Sequence, residues 1–438
     1  MSGFGGGGFA LIRTANMRPK ILDFFCQTPF HRKDISELDF ESVEVQFSET
    51  SEEFHVGKGA VAVPGMVRGI FELHDRLGTV PLKILAEPAI ELARNGAEVD
   101  WFQAYDFQLL EVIFKRSADA QSIFYDNGKR LVEGSTIRNS LFAELLHEVV
   151  NDGARAFYES EVAEAIADDF TAGGLLTAAD FKYYTAQWRD ALQLQCQGFN
   201  VFTNPRPGRG GVIIAETLRA LDQSGKNVPV FGSDVYTQWM LQGLKTGARS
   251  AEEHYTKWGS TTHVSTADNI GNAVSVSVSN GEGSGYFAPG TGIQLNNMLG
   301  EAALFPNGFH SWQPNTRVQS LMSPTVLEQV NGDAIIALGT GGAGRIPVAL
   351  SQVISHLIFD RASIHSAINR GRVYVHGDTL EMEPGLKTPE SLADPVNHCN
   401  QWSQNDMFFG GVHAAAIENG GLQSVGDVRR NGAVATWN

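Results

Sequence analysis

Cysteine is scarce in this chain: Cys26, Cys196 and Cys399 are the only three among 438 residues. An odd count gives no disulfide framework, and the separations match no metal-ligand spacing, so all three read as ordinary thiols. Long apolar runs are missing too. No uninterrupted stretch approaches the ~20 residues that span a bilayer, so no transmembrane helix is expected. Positive charge is in deficit, with 33 Lys and Arg against 49 Asp and Glu and a formal net charge of −16. That balance, without any Lys/Arg run, argues against a nucleic-acid surface or an anionic-membrane patch and fits a soluble enzyme. There are no internal repeats. His31, His254 and His263 have no metal-ligand spacing and read as surface or structural residues; no metal is expected.

What is present is an ordinary globular composition, 42% hydrophobic and 19% charged, on a chain long enough for one large α/β domain or two. Periodicity near 3.6 predicts helices over 82–95, 141–150, 161–172, 212–221, 235–248 and 347–357. Gly173 and Gly174 read as the C-cap of the third. A glycine-rich loop at 3–8 feeds a short strand, and Ala334–Leu338 reads as a buried strand. Residues 48–58 and 401–406 read as polar loop. Phe408 to Ala415 reads as the last core strand. These elements alone support mixed α and β.

The most informative stretch is Gly259-Ser260-Thr261-Thr262-His263. His263 to Asp268 alternates, Asp268 to Asn272 is turn chemistry, and Ala273 to Ser279 alternates strictly, with Ser275, Ser277 and Ser279 opposite Val274, Val276 and Val278. Two period-2 runs about an Asn/Gly turn predict a β-hairpin. Thr261 then sits at the open end of its first strand, and Ser279 near the same end of its second. The bland reading is a surface hairpin with a wet, serine-rich face. The chemical reading is that scission between Ser260 and Thr261 creates an N-terminal threonine whose α-amine acts as base for its own hydroxyl.

With its neighbours, the chain resembles the γ-glutamyltranspeptidase family of N-terminal nucleophile hydrolases. The resemblance rests on Gly5-Gly6-Gly7-Gly8-Phe9, Val63-Pro64-Gly65, Gly173-Gly174-Leu175-Leu176-Thr177 with Asp180, and the Pro205 to Gly211 loop. It continues through Thr261-Thr262-His263, Pro289-Gly290-Thr291-Gly292, Leu295-Asn296-Asn297, Ser320 to Thr325, and Gly341-Gly342-Ala343-Gly344-Arg345. These run in family order along essentially the whole chain. The resemblance implies a four-layer α-β-β-α sandwich and self-cleavage into residues 1–260 and 261–438, held together as a heterodimer that makes one structural domain. It also implies a small-molecule acyl amide as substrate, with water or an amine as acceptor and no cofactor. Family members are often periplasmic or extracellular. The opening of this chain looks like the middle of a family member, so a truncated start is expected and localisation stays open.

Carried over by position, Thr261 is the nucleophile and Ser279 supports it. Gly342 and Ala343, or Gly341 and Gly342, supply backbone N–H groups for an oxyanion hole. Asn280 contacts the amino-acid end of the substrate, and Glu301 stands where an aspartate holds its α-amine. Two departures concern the α-carboxylate. Phe25 occupies the place of an arginine clamp, and Ser320-Leu321 replaces a serine pair. An apolar ring cannot substitute for a bidentate guanidinium. Arg206, Arg209, Arg317 and Arg345 are the candidate replacements. A γ-glutamyl amide such as glutathione is therefore the first reading, and a less charged acyl amide, glutaryl or cephalosporin-type, the second.

One signal points elsewhere. Gly339-Thr340-Gly341-Gly342-Ala343-Gly344 is a literal G-x-G-x-x-G after a strand and before a helix, with Asp360 about twenty residues on, the pattern of a dinucleotide fingerprint. It requires a second parallel strand ending at the acid, for which the helix over 347–357 leaves no room. A non-catalytic immature fragment is the third reading.

Overall fold

The computed structural model describes residues 2–46, 51–225, 228–250, 260–305, 307–390 and 396–437. Gly259 and His254 lie outside them. The chain folds as two compact units that both draw on widely separated segments. The first comprises Met1–Gly8, Asp23–Gln187 and Val278–Val318; the second comprises Phe9–Leu22, Trp188–Ser277 and Gln319–Asn438.

The strands of the two main sheets are β1 (Gly7–Thr14), β2 (Met17–Phe24), β3 (Gln187–Asp190), β4 (Leu192–Cys196), β5 (Phe199–Thr203), β6 (Thr262–Ala267), β7 (Ala273–Ser279), β8 (Thr325–Gln329), β9 (Ala334–Gly341), β10 (Gly411–Glu418) and β11 (Gly421–Val425). One sheet has the order β6-β7-β1-β2-β3, the other β4-β5-β8-β9-β10-β11. The second sheet is antiparallel throughout. β6 packs on β9 and β10, which stacks one sheet on the other in the second unit. Three helices, α1 (Gly210–Gln223), α2 (Asp234–Ser250) and α3 (Arg345–Ile358), form the next layer there, with α1 against α2 and α3, and α3 on β9. Every residue of β9 and of α3 is buried. The polar residues of α3 are matched inside: Gln352 Nε2 donates to the Val373 carbonyl at 3.0 Å and Ser355 Oγ to the Gln352 carbonyl at 2.7 Å, so their burial costs little.

The serine-rich strand departs from the expected wet face. Ser275 and Ser277 are fully buried, whereas Val264 is 53% exposed. The serines face the second sheet because each hydroxyl finds a partner: Ser275 Oγ donates to the Leu338 carbonyl at 2.9 Å and accepts from Thr325 N at 3.1 Å. A buried hydroxyl so satisfied costs little.

In the first unit, helices Met66–Leu77, Leu82–Asn95, Ser140–Asp152 and Glu161–Asp169 surround a core that includes Phe157, Tyr158, Phe181 and Leu295. Helix Ser140–Asp152 illustrates the local logic. Asn139 caps it, accepting from Phe142 N at 3.0 Å, worth about 1 kcal/mol. Leu145, Leu146 and Val149 form its buried stripe, and Gly153 at φ 84° ends it.

Three further expectations are corrected. The segment read as polar loop over 48–58 contains a strand, Ser51–Val56, paired with Glu41–Gln46; its alternate residues Glu52, Phe54 and Val56 are buried. The helix expected to reach residue 172 ends at Asp169. The run from Phe408 begins as a 3-10 turn, and the strand starts only at Gly411; β11 follows it, but none of its residues is buried, so Gly411–Glu418 is the last strand with buried residues.

Candidate active site

Thr261 immediately precedes β6 and is half-buried. Its carbonyl packs directly on β9: a Cβ built on Gly341 would lie 2.1 Å from Thr261 O. Only glycine admits this approach. The chain then turns at Gly342 (φ 123°) and Ala343 (φ 45°). Arg345 N donates to Gly342 O at 2.9 Å and Ile346 N to Ala343 O at 3.0 Å, so the turn opens α3. The amino end of a helix carries free N–H groups and positive partial charge, which suits an anion. Thr261, Gly342 and Ala343 are thus brought to one end of β6 and β9. The guanidinium of Arg430 borders the same turn, 3.0 Å from a Cβ built on Gly342. Nothing in its local sequence signals that placement.

His263, two residues on, is buried between hydroxyls. Its Nδ1 lies 2.9 Å from Ser277 Oγ and its Nε2 2.8 Å from Ser265 Oγ. Burial, with a smaller contribution from His413, pushes its pKa down to about 3. His263 is therefore neutral at ordinary pH. Gly339 makes room for it, since a Cβ there would sit 2.2 Å from the ring.

A second group of predicted residues lies in the first unit. Ser279 ends β7, and its Oγ accepts from Gly281 N at 2.9 Å. Asn280 Nδ2 donates to Gln294 O at 3.1 Å. The left-handed Gly281 (φ 62°) threads between Asn297 Oδ1 and Glu301 Oε1, which would lie 2.1 and 2.2 Å from a Cβ there. Burial first, and then the Glu282 carboxyl that hydrogen-bonds to it, raises the Glu301 pKa well above the usual range; Glu52 adds to this. Glu301 itself is only partly covered, while Glu282 and Glu52 are 3% and 6% exposed. Sequence reasoning missed both: Glu282 sits in a glycine loop, and Glu52 in the segment read as loop.

Phe25 is a core residue, 1% exposed. Its carbonyl accepts from Tyr184 Oη at 2.8 Å and Arg317 NH1 at 2.6 Å. Arg317 is committed to structure as well, with Asp23 Oδ1 3.2 Å from its Nε, the Thr185 carbonyl 2.8 Å from NH2, and the Tyr184 ring 4.8 Å away. In the second unit, Ser320 Oγ accepts from Met322 N at 3.1 Å, and Leu321 is buried against Ile213. Arg345 lies between the rings of Tyr374 and Phe408, with Nε donating to Phe408 O at 2.8 Å. Arg206 is exposed, while Arg209 is buried and its N–H donates to Ser320 O at 2.8 Å.

The glycine-rich G-x-G-x-x-G lies at the end of β9, which is antiparallel to both neighbours. Asp360 follows α3 directly and is held by His356 and Arg370. The parallel β-α-β setting of a dinucleotide fingerprint is not built here.

The Gamma-glutamyltranspeptidase family profile matches residues 1–257 and 244–437. The glutathione hydrolase proenzyme of Bacillus subtilis (strain 168) is 27% identical over 502 residues, covering 99% of this chain and 84% of the relative. The acylase ACY 1 proenzyme of Pseudomonas sp. (strain V22) is 28% identical over 466 residues, covering 96% and 83%. Among solved structures, the cephalosporin acylase from Bacillus halodurans superposes with a TM-score of 0.82 at 21% identity, covering 100% of this chain and 88% of that one. That likeness shows that the chain shares the mixed α and β fold of that structure. Matched along nearly its whole length, the chain belongs to the γ-glutamyltranspeptidase family and is an amide hydrolase and acyltransferase.

Proposed function

We propose that Thr261 is the nucleophile of a self-cleaving acyl-transfer enzyme whose first-choice substrates are γ-glutamyl amides such as glutathione. The observation that carries this reading is the packing of Thr261 on Gly341, next to the left-handed turn at Gly342 and Ala343. In the maturation step, Thr261 Oγ adds to the Ser260 carbonyl carbon, the Ser260–Thr261 C–N bond breaks, and an ester forms with a free amine on Thr261. Water hydrolyses the ester and separates residues 1–260 from 261–438, which stay together as a heterodimer. In turnover, that amine takes the hydroxyl proton as Oγ attacks the substrate amide. The N–H groups at Gly342 and Ala343 stabilise the tetrahedral oxyanion, a contribution of about 3–4 kcal/mol per donor. The amine leaves with a proton, and water or a second amine resolves the acyl-enzyme. Ser279 supports the nucleophile. Asn280 and Glu301 receive the amino-acid end of the substrate, the Glu282–Glu301 carboxyl pair suiting an ammonium group.

A second reading, a non-glutamyl acyl amide, is favoured by Phe25 and Leu321. Both are spent on packing, so neither they nor Arg317 offer the substrate's α-carboxylate a partner. Denaturing gel and N-terminal sequencing test the scission: fragments beginning at Thr261 are expected, absent in Thr261→Ala, and a folded yet uncut wild-type chain would refute it. A panel of γ-glutamyl, glutaryl and simple acyl anilides then separates the substrates. Release from the last two without the first supports the second reading.

A further inference from the structure

Within the first unit, a cavity of ≈ 240 Å³ opens beside the 32–38 and 310–312 segments. Arg32, Lys33, His310 and Trp312 line it, with Leu38 and Leu175 as an apolar wall. It belongs to none of the chemistry described above.

Its charge is unbalanced. Arg32 lies 4.9 Å from the centre of the Trp312 ring, and its NH2 donates to the carbonyls of His310 (2.7 Å) and Trp312. Lys33 Nζ donates to the carbonyls of Phe170 (3.1 Å) and Thr171 (3.0 Å). Among the described residues neither cation has a carboxylate partner. Asp34, the acid in the wall, turns its carboxylate to Ser36, accepting from N at 2.9 Å and Oγ at 2.6 Å. Glu37 is likewise engaged, by Asp34 N at 3.2 Å.

The second, independent observation concerns donors. Trp312 is 6% exposed, and its indole Nε1 is buried without an acceptor among the described residues. The buried Nε2 of His310 also lacks a partner among the described residues. Burial, with Arg32 and His55, lowers the His310 pKa, which keeps the ring neutral and leaves its N–H free to sit on either nitrogen. A buried indole N–H left unmatched costs about 1–3 kcal/mol, and such groups in native proteins are few. His310 also holds a left-handed conformation, φ 61°, that a side chain seldom adopts without cause.

We propose that this cavity binds the carboxylate of a small organic acid. The two cations supply the charge complement, the Trp312 ring a flat wall under Arg32, and Leu38 and Leu175 a surface for the aliphatic part. Inorganic anions lack that apolar part, and a neutral amide lacks the charge, so both are discriminated against.

The test is titration of the intact protein with glutarate at constant ionic strength, following the indole N–H resonance that disappears in Trp312→Phe. That resonance should move saturably with glutarate, and neither glutaramide nor added chloride should move it. Lys33→Gln and Arg32→Gln should each weaken glutarate binding roughly tenfold or more, the loss expected for one charged hydrogen bond. Should Arg32→Gln fail to fold, Lys33→Gln decides, since Lys33 touches only two terminal carbonyls. An indole resonance that stays put, that follows glutaramide equally, or that responds identically in Lys33→Gln would overturn the proposal. Scission at Thr261, scored on the same samples, is independent of every one of these outcomes.

Discussion

The carbonyl of Thr261 rests on the bare α-carbon of Gly341, at a spacing no side chain could share. Adding one methyl there would force apart the first residue of the proposed mature fragment and the strand that leads into the turn at Gly342 and Ala343. Gly341→Ala should therefore slow both scission and turnover by about 10²-fold, the cost of roughly an ångström of misplacement in a reacting group. A gel time course on purified, folded protein measures the first, and anilide release the second. Unchanged rates would mean that the contact does not position Thr261.

Ala343 offers the converse. It holds φ 45° against its own steric preference, at a cost of about 1–2 kcal/mol. Ala343→Gly relieves the strain and keeps the N–H, so anilide turnover should stay within a few-fold of wild type and thermal stability should not fall. A loss of 10²-fold or more would show that the Ala343 methyl, and not its N–H, matters.

His263 predicts acid sensitivity. Its folded pKa of about 3 lies below the usual 6.5 of the unfolded residue. As pH falls through 6.5 the unfolded chain takes up the proton and the folded one does not, so stability is lost between about pH 6.5 and 3. The loss is on the order of a few kcal/mol. Burial likewise lowers the pKa of His413 and His356, which adds in the same direction. Melting temperatures recorded from pH 7.5 to 4.5 should fall steeply, and less so in His263→Asn.

Asp23 and Arg317 form a pair whose side chains are 0% and 4% exposed. Removing one partner strands the other's charge, so Asp23→Asn or Arg317→Leu should destabilise the fold by about 3–5 kcal/mol. Denaturant unfolding measures this. Restoring an arginine by Phe25→Arg should likewise destabilise, since the ring it replaces is buried. Gain of γ-glutamyl anilide turnover in a stable Phe25→Arg protein would contradict the placement of Phe25 in the core.

Several elements were legible from pattern alone. The helix over Leu82–Asn95 and the strand Ala273–Ser279 have the expected bounds and β6 lies one residue earlier than expected, because a long amphipathic period and strict alternation about an Asn/Gly turn are local signals. Other features were not. Residues 51–56 read as loop because their buried Glu52 is polar, and only the pairing with Glu41–Gln46 makes them strand. The serine face of β7 turned out to be the inward one, since its hydroxyls are matched by Leu338 and Thr325 on the other sheet and by His263 on the neighbouring strand. Alternation marks two faces but does not say which is dry.

The order of its motifs by itself marked this chain as a member of the γ-glutamyltranspeptidase family, and residue identity alone put an apolar ring at Phe25 and a leucine at Leu321. Those facts lie in residue identity and short-range spacing. Only the tertiary structure decided that Gly341 receives the Thr261 carbonyl, that Arg317 is bound to Asp23, and that Glu282 and Glu52 join Glu301. Each joins residues distant in sequence or set by how a loop folds back, and burial then fixes their charge. Such contacts and their electrostatics arise only when the chain packs, so no local pattern could encode them.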